Sequence, residues 1–215
     1  MIALTVCLGR WQLHRAEEKE ARQSLFDARM LEPPMRLTGP VPSAEPLVFR
    51  HVHAEGDWLA DRQIYIDNQV QGGRAGFAVV TPLRLRGNTA VVLVNRGWTP
   101  RGPEYPRAPH VEVPPGPAMV EGLAVTPPAR FLELSNQTVA GDVWQNLSIE
   151  RFRASSKLEL LPVVILADPA APGLLPMLER PDAGAARHRE YELTWFALAA
   201  TTLALWLALN MKRGP

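Results

Sequence analysis

The chain has 215 residues, which is enough for one domain together with membrane segments. Its 23 Lys and Arg residues nearly balance 22 Asp and Glu residues, and a formal net charge of +1 without a basic stripe excludes an electrostatic nucleic-acid binder. Cys7 is the only cysteine, which excludes an internal disulfide, a C-x-x-C redox pair and a thiolate copper site.

The first eight residues form an apolar run that is too short to cross a bilayer and lacks the features of a secretory signal. It is either a small apolar cap or the second half of a membrane helix. We favour the membrane helix, because Trp11 follows where an interfacial anchor is expected. Residues 1–11 are therefore predicted to be the remnant of a first transmembrane helix. Residues 12–31 are predicted to form a polar helix leading out of the membrane, which two prolines then stop.

Short apolar runs alternate with turn signals from Arg36 to about Leu166, which is typical of an antiparallel β sheet or a small barrel. The clearest strands, residues 75–85 and 89–95, are joined by the hairpin signal Arg-Gly-Asn. The remaining predicted elements are strands at 47–54, 63–67, 118–125, 142–147 and 163–167, a turn at Gly72-Gly73, a helix at 149–157 capped by Ser148, and a loop at 169–186. The predicted fold class is α+β, with residues 32–186 as a β-rich extracytoplasmic domain between two transmembrane helices.

Two histidines on one predicted strand, His51 and His53, have side chains on the same face. They could chelate a metal ion if Glu55 or Asp57 supplied a third ligand. The alternative is a pair of histidines that face solvent.

The segment Asn95-Arg96-Gly97-Trp98-Thr99-Pro100 ends the best predicted strand. Gly97 permits an unusual backbone conformation, Trp98 supplies a large amphipathic surface, and Arg96 could bind a carboxylate on a partner or within the fold. The alternative is a structural corner in which Trp98 covers the core of the sheet.

Catalytic motifs are absent from the sequence. It contains no G-x-S-x-G, H-E-x-x-H or P-loop pattern, and Ser135 and Ser148 have no base at a recognisable spacing. We therefore expect a protein that is not an enzyme.

The C-terminal segment has the composition of a membrane helix. Residues 193–209 carry no charge and neither Pro nor Gly, and 17 residues are at the lower limit for crossing a bilayer as a helix. Lys212 and Arg213 follow at once, as expected of a cytoplasmic flank. Residues 187–211 are predicted to be the transmembrane helix and its approach, and residues 212–215 a cytoplasmic tail. Basic residues near the N-terminus conflict with this assignment, so the topology depends on the C-terminal flank.

Three side chains share one face at the start of this helix, because His188, Tyr191 and Trp195 are spaced i, i+3 and i+7. An imidazole, a phenol and an indole at a membrane boundary could bind a partner or a flat cofactor. The alternative is that the aromatic residues serve only as interfacial anchors.

Three motifs, in this order, resemble the surfeit-locus-one family of assembly factors for haem–copper cytochrome c oxidase. They are G-x-W-Q-x-x-R-x-x-x-K at residues 9–19, V-N-R-G-W-x-P at 94–100, and H-x-x-Y-x-x-x-W-F at 188–196. The resemblance covers nearly the whole chain. It implies two membrane helices joined by one large domain outside the cytoplasm, and a role in inserting haem A into the catalytic subunit of the oxidase.

The resemblance also implies a site. In the family, the matching histidine has been proposed as the ligand of the haem iron, which makes His188 the ligand here. Binding of a haem further requires apolar surface for the macrocycle and cations for the propionates. The predicted cofactor-binding residues are His188, Tyr191, Trp195, Trp11, Arg187 and Arg189. Arg96, Gly97 and Trp98 are predicted to shape a corner where a partner docks.

The resulting expectation is a protein of the bacterial inner membrane with a periplasmic main domain, or of the mitochondrial inner membrane if the source is eukaryotic. Its expected partners are the catalytic subunit of the oxidase, haem A synthase or its product, and the lipid bilayer. The alternatives are a scaffold for oxidase subunits without a cofactor and, less favoured, a membrane-anchored hydrolase.

Overall fold

The computed structural model describes residues 1–127, 139–177 and 184–211, and the chain divides into two compact units. Residues 1–28 and 180–215 belong to the helical unit, and residues 29–179 form the sheet unit. The helices are α1 (Ile2–Met30), α2 (Ile149–Ser156) and α3 (Ala185–Met211). The strands are β1 (Met35–Leu37), β2 (His51–Trp58), β3 (Ile64–Gln71), β4 (Arg74–Leu85), β5 (Val91–Pro100), β6 (Pro117–Val125), β7 (Val139–Ala140), β8 (Val143–Trp144) and β9 (Leu160–Ala167).

The sheet closes into a small barrel. Its strand order is β1-β2-β6-β9-β5-β4-β3-β8-β7, and an additional pairing of β2 with β4 makes a closed circuit of β2, β6, β9, β5 and β4. The pairs β1–β2, β3–β8 and β5–β9 are parallel. The α+β class is thus confirmed, but the predicted antiparallel sheet is wrong. The sheet is mixed, because long connections bring β2, β8 and β9 back in the direction of their partners.

The barrel interior is filled by alternate side chains of its strands. On β5, Val92 and Val94 are fully buried and belong to the interior cluster. Val91 and Leu93 point to the opposite face, where a second cluster packs against α2. In that outer cluster the rings of Trp144 and Phe152 lie 5.7 Å apart. Both faces of β5 are therefore apolar, which explains its continuous run of Val and Leu.

Two glycines let neighbouring strands approach closely. A Cβ atom added to Gly56 of β2 would lie 1.9 Å from the backbone oxygen of Arg84, and one added to Gly122 of β6 would lie 2.1 Å from that of Leu166. Neither position has a left-handed backbone, so the requirement for glycine comes from space. Closure of the barrel between β2 and β4 consequently depends on a residue without a side chain.

The sequence locates most elements within a few residues. The β4–β5 hairpin is confirmed, and Ser148 caps α2 by accepting a hydrogen bond from the backbone NH of Arg151 at 3.2 Å. The strand predicted at 47–54 is displaced, because residues 47–49 form a turn and β2 runs from His51 to Trp58. The strand predicted at 89–95 is longer than expected, because β5 continues to Pro100 and includes the whole segment 95–100. Of the predicted loop at 169–186, residues 178–183 lie outside the described residues.

The helical unit consists of α1 and α3. The segments predicted separately at 1–11 and 12–31 form one continuous helix. Three of its four buried residues, Thr5, Gly9 and Ala16, are small, and a Cβ atom added to Gly9 would lie 2.8 Å from the ring of Phe196 in α3. The absence of a side chain at Gly9 therefore makes room for Phe196 where α1 and α3 meet.

In the described part of the chain, α3 is the helix that is long and apolar enough to cross a membrane, with a mean hydropathy of 1.5 over an 18-residue window. Only 6% of that window is buried. Its apolar side chains therefore need a cover other than this fold, and a bilayer would provide one. The predicted flanking residues Lys212 and Arg213, with the whole tail 212–215, lie outside the described residues.

Candidate functional site

A short hydrogen bond joins His188 of α3 to Gln12 of α1. The Nδ1 atom of His188 lies 2.6 Å from the Oε1 atom of Gln12. An amide oxygen only accepts, so this contact requires the proton on Nδ1, and in the neutral imidazole Nε2 then keeps its lone pair. A histidine that ligates a metal normally donates from its other ring nitrogen to an oxygen in this way. The imidazole is thus held in the tautomer that can coordinate a metal through Nε2.

The predicted cations have different surroundings. Arg189 donates to both carboxylate oxygens of Glu20, at 2.8 and 3.0 Å, and to Glu192 at 3.3 Å. The hydrogen bond from Arg189 lowers the pKa of Glu20. Two carboxylates therefore offset the charge of Arg189, and its main visible role is to tie α3 to α1. Arg187 is exposed and is the better placed of the two to meet an anion from solution.

The predicted aromatic residues are accessible. Trp11 is 57% exposed and Tyr191 is 51% exposed, while Trp195 is half-buried. Because α3 is continuous over His188, Tyr191 and Trp195, these three residues share a face as predicted. Trp11 directly precedes Gln12 in α1, so it points about 100° away from the residue that contacts His188.

These residues fit a haem in their chemistry. The site offers an imidazole with an available Nε2, exposed aromatic surface, and Arg187 as a cation. Gln12 is the addition from the structure. Its contact with His188 spans 176 residues of sequence, and no local spacing indicates it.

The predicted docking corner is buried inside the sheet unit. Trp98 is 2% exposed, and its indole NH donates to the backbone oxygen of Gln69 at 2.8 Å. Gly97 has a φ of 135°, and a Cβ atom there would lie 2.7 Å from the Cβ of Leu174, so only glycine fits. Their burial favours the structural-corner interpretation. A docking role for these residues stays a prediction, restricted to shaping a surface that other residues present.

Arg96 is buried without a carboxylate partner in the described part of the chain. It is 3% exposed, and its guanidinium donates to the Oε1 atom of Gln63 at 3.0 Å and to the backbone oxygen of Glu112 at 2.9 Å. The guanidinium also lies 5.5 Å from the ring centre of Trp58, a cation–π contact. Burial lowers the pKa of Arg96, because desolvation penalises the charged form.

The alternative metal site at His51 and His53 is not supported. Within residues 1–127, 139–177 and 184–211, no group of three His, Cys, Asp or Glu side chains could hold a metal ion. The Nδ1 atom of His53 instead lies 3.1 Å from a carboxylate oxygen of Glu121 on the neighbouring strand. Both histidines are half-buried on the outer face of β2.

The comparisons with known proteins all indicate the same family. A model of the SURF1 family matches residues 1–200. A SURF1-like protein of Monosiga brevicollis is 27% identical, with 98% of this chain and 85% of the relative covered. A SURF1-like protein of Rickettsia felis is 25% identical, with coverages of 95% and 91%. Surfeit locus protein 1 of Mus musculus is 24% identical, with coverages of 97% and 72%.

Proposed function

Since the chain belongs to the SURF1 family, we propose that it is a membrane-anchored, non-catalytic assembly factor for haem–copper cytochrome c oxidase, which binds haem A and delivers it to the catalytic subunit. The SURF1 family is the surfeit-locus-one family that the three sequence motifs resemble. The observation that carries the haem proposal is the hydrogen bond between His188 and Gln12. It fixes the imidazole in the tautomer and orientation that an iron ligand needs.

Each residue of the proposed haem site in the helical unit has a separate role. When bound, the haem would supply an iron that an imidazole nitrogen can ligate. His188 would offer its Nε2 atom as that ligand, and the hydrogen bond to Gln12 would hold its ring in place. Tyr191 and Trp195 would provide apolar surface on the face of His188, Trp11 would add surface from an adjoining face of α1, and Arg187 would provide a positive charge for a propionate. Arg189 supports the site indirectly by pairing with Glu20 across the two helices.

The proposed location follows from α3. This helix would anchor the chain in the bacterial inner membrane, or the mitochondrial inner membrane of a eukaryote, with the sheet unit on the periplasmic or intermembrane-space side. Haem A synthase would be the source of the cofactor. The exposed apolar side chains of α3 support contact with lipid or with a membrane-embedded partner.

The test is an absorption spectrum of protein purified from cells that make haem A. The wild-type protein is expected to carry a haem spectrum, and His188→Ala is expected to lose or alter it. His14→Ala is the matched control. His14 belongs to the same helical unit, on α1, but its side chain is 72% exposed and it contacts only Glu18 among the ion pairs of the described chain. Far-UV circular dichroism establishes that each variant is folded.

Two outcomes would contradict the proposal. A wild-type protein without haem, or a haem spectrum unchanged in His188→Ala, removes the ligand role. If the colourless protein still copurifies with the catalytic subunit of the oxidase, the cofactor-free scaffold is the correct alternative.

A further inference from the structure

A cavity of about 420 Å³ lies at one end of the barrel, in the sheet unit. Val94 and Arg96 of β5, Trp58 at the end of β2, and the first residues of β6 line it. The segment Pro114–Pro117 and the loop around Ala171 complete its rim. Val94 belongs to the interior cluster, so the cavity is the mouth of the barrel above its packed core. Mouths of β-barrels are common positions for small-ligand sites.

The walls of the cavity are mainly apolar, and its buried charge is a cation. Arg96 is 3% exposed and donates two hydrogen bonds, one to the side-chain oxygen of Gln63 and one to the backbone oxygen of Glu112, both of which are neutral. A guanidinium has five N–H donors, so it retains capacity for an anion. The carboxylate of Glu121 also lines the cavity, but it is 53% exposed at the rim and pairs with His53 at 3.1 Å. The described residues place no carboxylate within ion-pair distance of Arg96.

We propose that this cavity binds a small organic carboxylate, with the carboxylate on Arg96 and an apolar body among Trp58, Val94 and the prolines of the rim. The volume is in the range of about 300–1,000 Å³ that is usual for small-ligand pockets. A guanidinium binds a carboxylate through paired, charge-assisted hydrogen bonds, and it does so more strongly where water is excluded. The site uses none of the residues proposed to hold haem, so the two proposals can fail independently.

The experiment is isothermal titration calorimetry of the full chain in phosphatidylcholine nanodiscs at pH 7. The probe is naphthalene-2-carboxylate, and its neutral analogue naphthalene-2-carboxamide has the same ring system without the charge. Empty nanodiscs give the partitioning background for both compounds. The acid is expected to bind the wild-type protein at least about tenfold more tightly than the amide, because only the acid forms charge-assisted hydrogen bonds with Arg96.

Three variants locate the site. Arg96→Gln is expected to weaken binding of the acid at least about tenfold, since an amide side chain carries no charge. Arg86→Gln makes the same change at an arginine that is 61% exposed on the β4–β5 turn, and it is expected to bind like the wild type. Ala171→Trp keeps Arg96 but places an indole in the mouth, and it is expected to abolish binding.

The proposal is overturned by any of three results: no binding of the acid above the nanodisc background, equal binding of acid and amide, or undiminished binding by Ala171→Trp. If Arg96→Gln does not fold, the comparison of acid with amide on the wild type and on Ala171→Trp still decides the matter. None of these readouts involves haem.

Discussion

Replacement of Gln12 by Ala tests whether the helical unit is built to orient His188. The change removes the oxygen that accepts the Nδ1 proton of His188 at 2.6 Å and leaves the imidazole itself intact. Loss of such a supporting partner typically lowers metal affinity about 10- to 100-fold. His188 is only half-buried, so water can replace part of the lost hydrogen bond. We therefore expect the lower end, an increase in Kd for haem A of about tenfold, or about 1.4 kcal/mol.

The assay is titration of haem A into the haem-free protein, followed by the change in the Soret band. Gln23→Ala is the control, because Gln23 is on the same helix and bonds only to Asp27, at 2.9 Å, among the contacts described. Gln12→Glu should bind haem A at least as tightly as the wild type, because a carboxylate accepts the same proton and makes Nε2 more basic. An unchanged Kd in Gln12→Ala, or an equal loss in Gln23→Ala, would refute the orienting role.

Two further predictions concern the sheet unit. Gly122→Ala should destabilise it by about 3 kcal/mol or more, because the added Cβ meets the backbone oxygen of Leu166 at 2.1 Å, whereas Gly102→Ala, with its nearest neighbour at 3.7 Å, should change the free energy of unfolding little. Urea unfolding followed by circular dichroism measures both, and equal effects would contradict the close-approach argument. Ser148→Ala should cost about 1 kcal/mol through the lost cap. The pKa of Glu150 is lowered by a hydrogen bond from its own backbone and by one from Ser148. This carboxylate therefore adds stability at neutral pH, and the contribution is lost as the pH falls from the ordinary pKa of a glutamate through the lowered one. That acid-side loss should be smaller in Ser148→Ala, and an unchanged pH profile would count against the coupling.

Local signals made the hairpin and the short helix predictable. The turn residues between β4 and β5 determine which strands pair, and a serine before an amphipathic segment marks a helix start. The predicted end of β2 was wrong because local signals there are misleading. Gly56 and Asp57 have the composition of a turn, yet they are paired on both sides, with β4 and with β6. Neighbours distant in sequence, rather than local propensity, keep this segment extended.

Long-range partners also explain which part of the site was predictable. The common face of His188, Tyr191 and Trp195 follows from helical spacing alone, and the continuous helix α3 preserves it. The orientation of His188 by Gln12 and the pairing of Arg189 with Glu20 require knowledge of how α1 lies against α3. Arg189, which the sequence analysis assigned to a haem propionate, is consequently paired with carboxylates of the protein itself.

Arg96 illustrates what closure of the barrel adds to the sequence. Counted along β5, it continues the inward positions of Val92 and Val94, where an apolar side chain would fill the mouth at no desolvation cost. The fold instead buries a guanidinium there and gives it two neutral acceptors and an aromatic face. Those contacts satisfy part of its hydrogen-bonding capacity but supply no countercharge, and the desolvation of a buried charge without a countercharge costs free energy. Stability alone is therefore a weak reason for an arginine at this position, whereas an anionic ligand in the adjoining cavity provides a direct one.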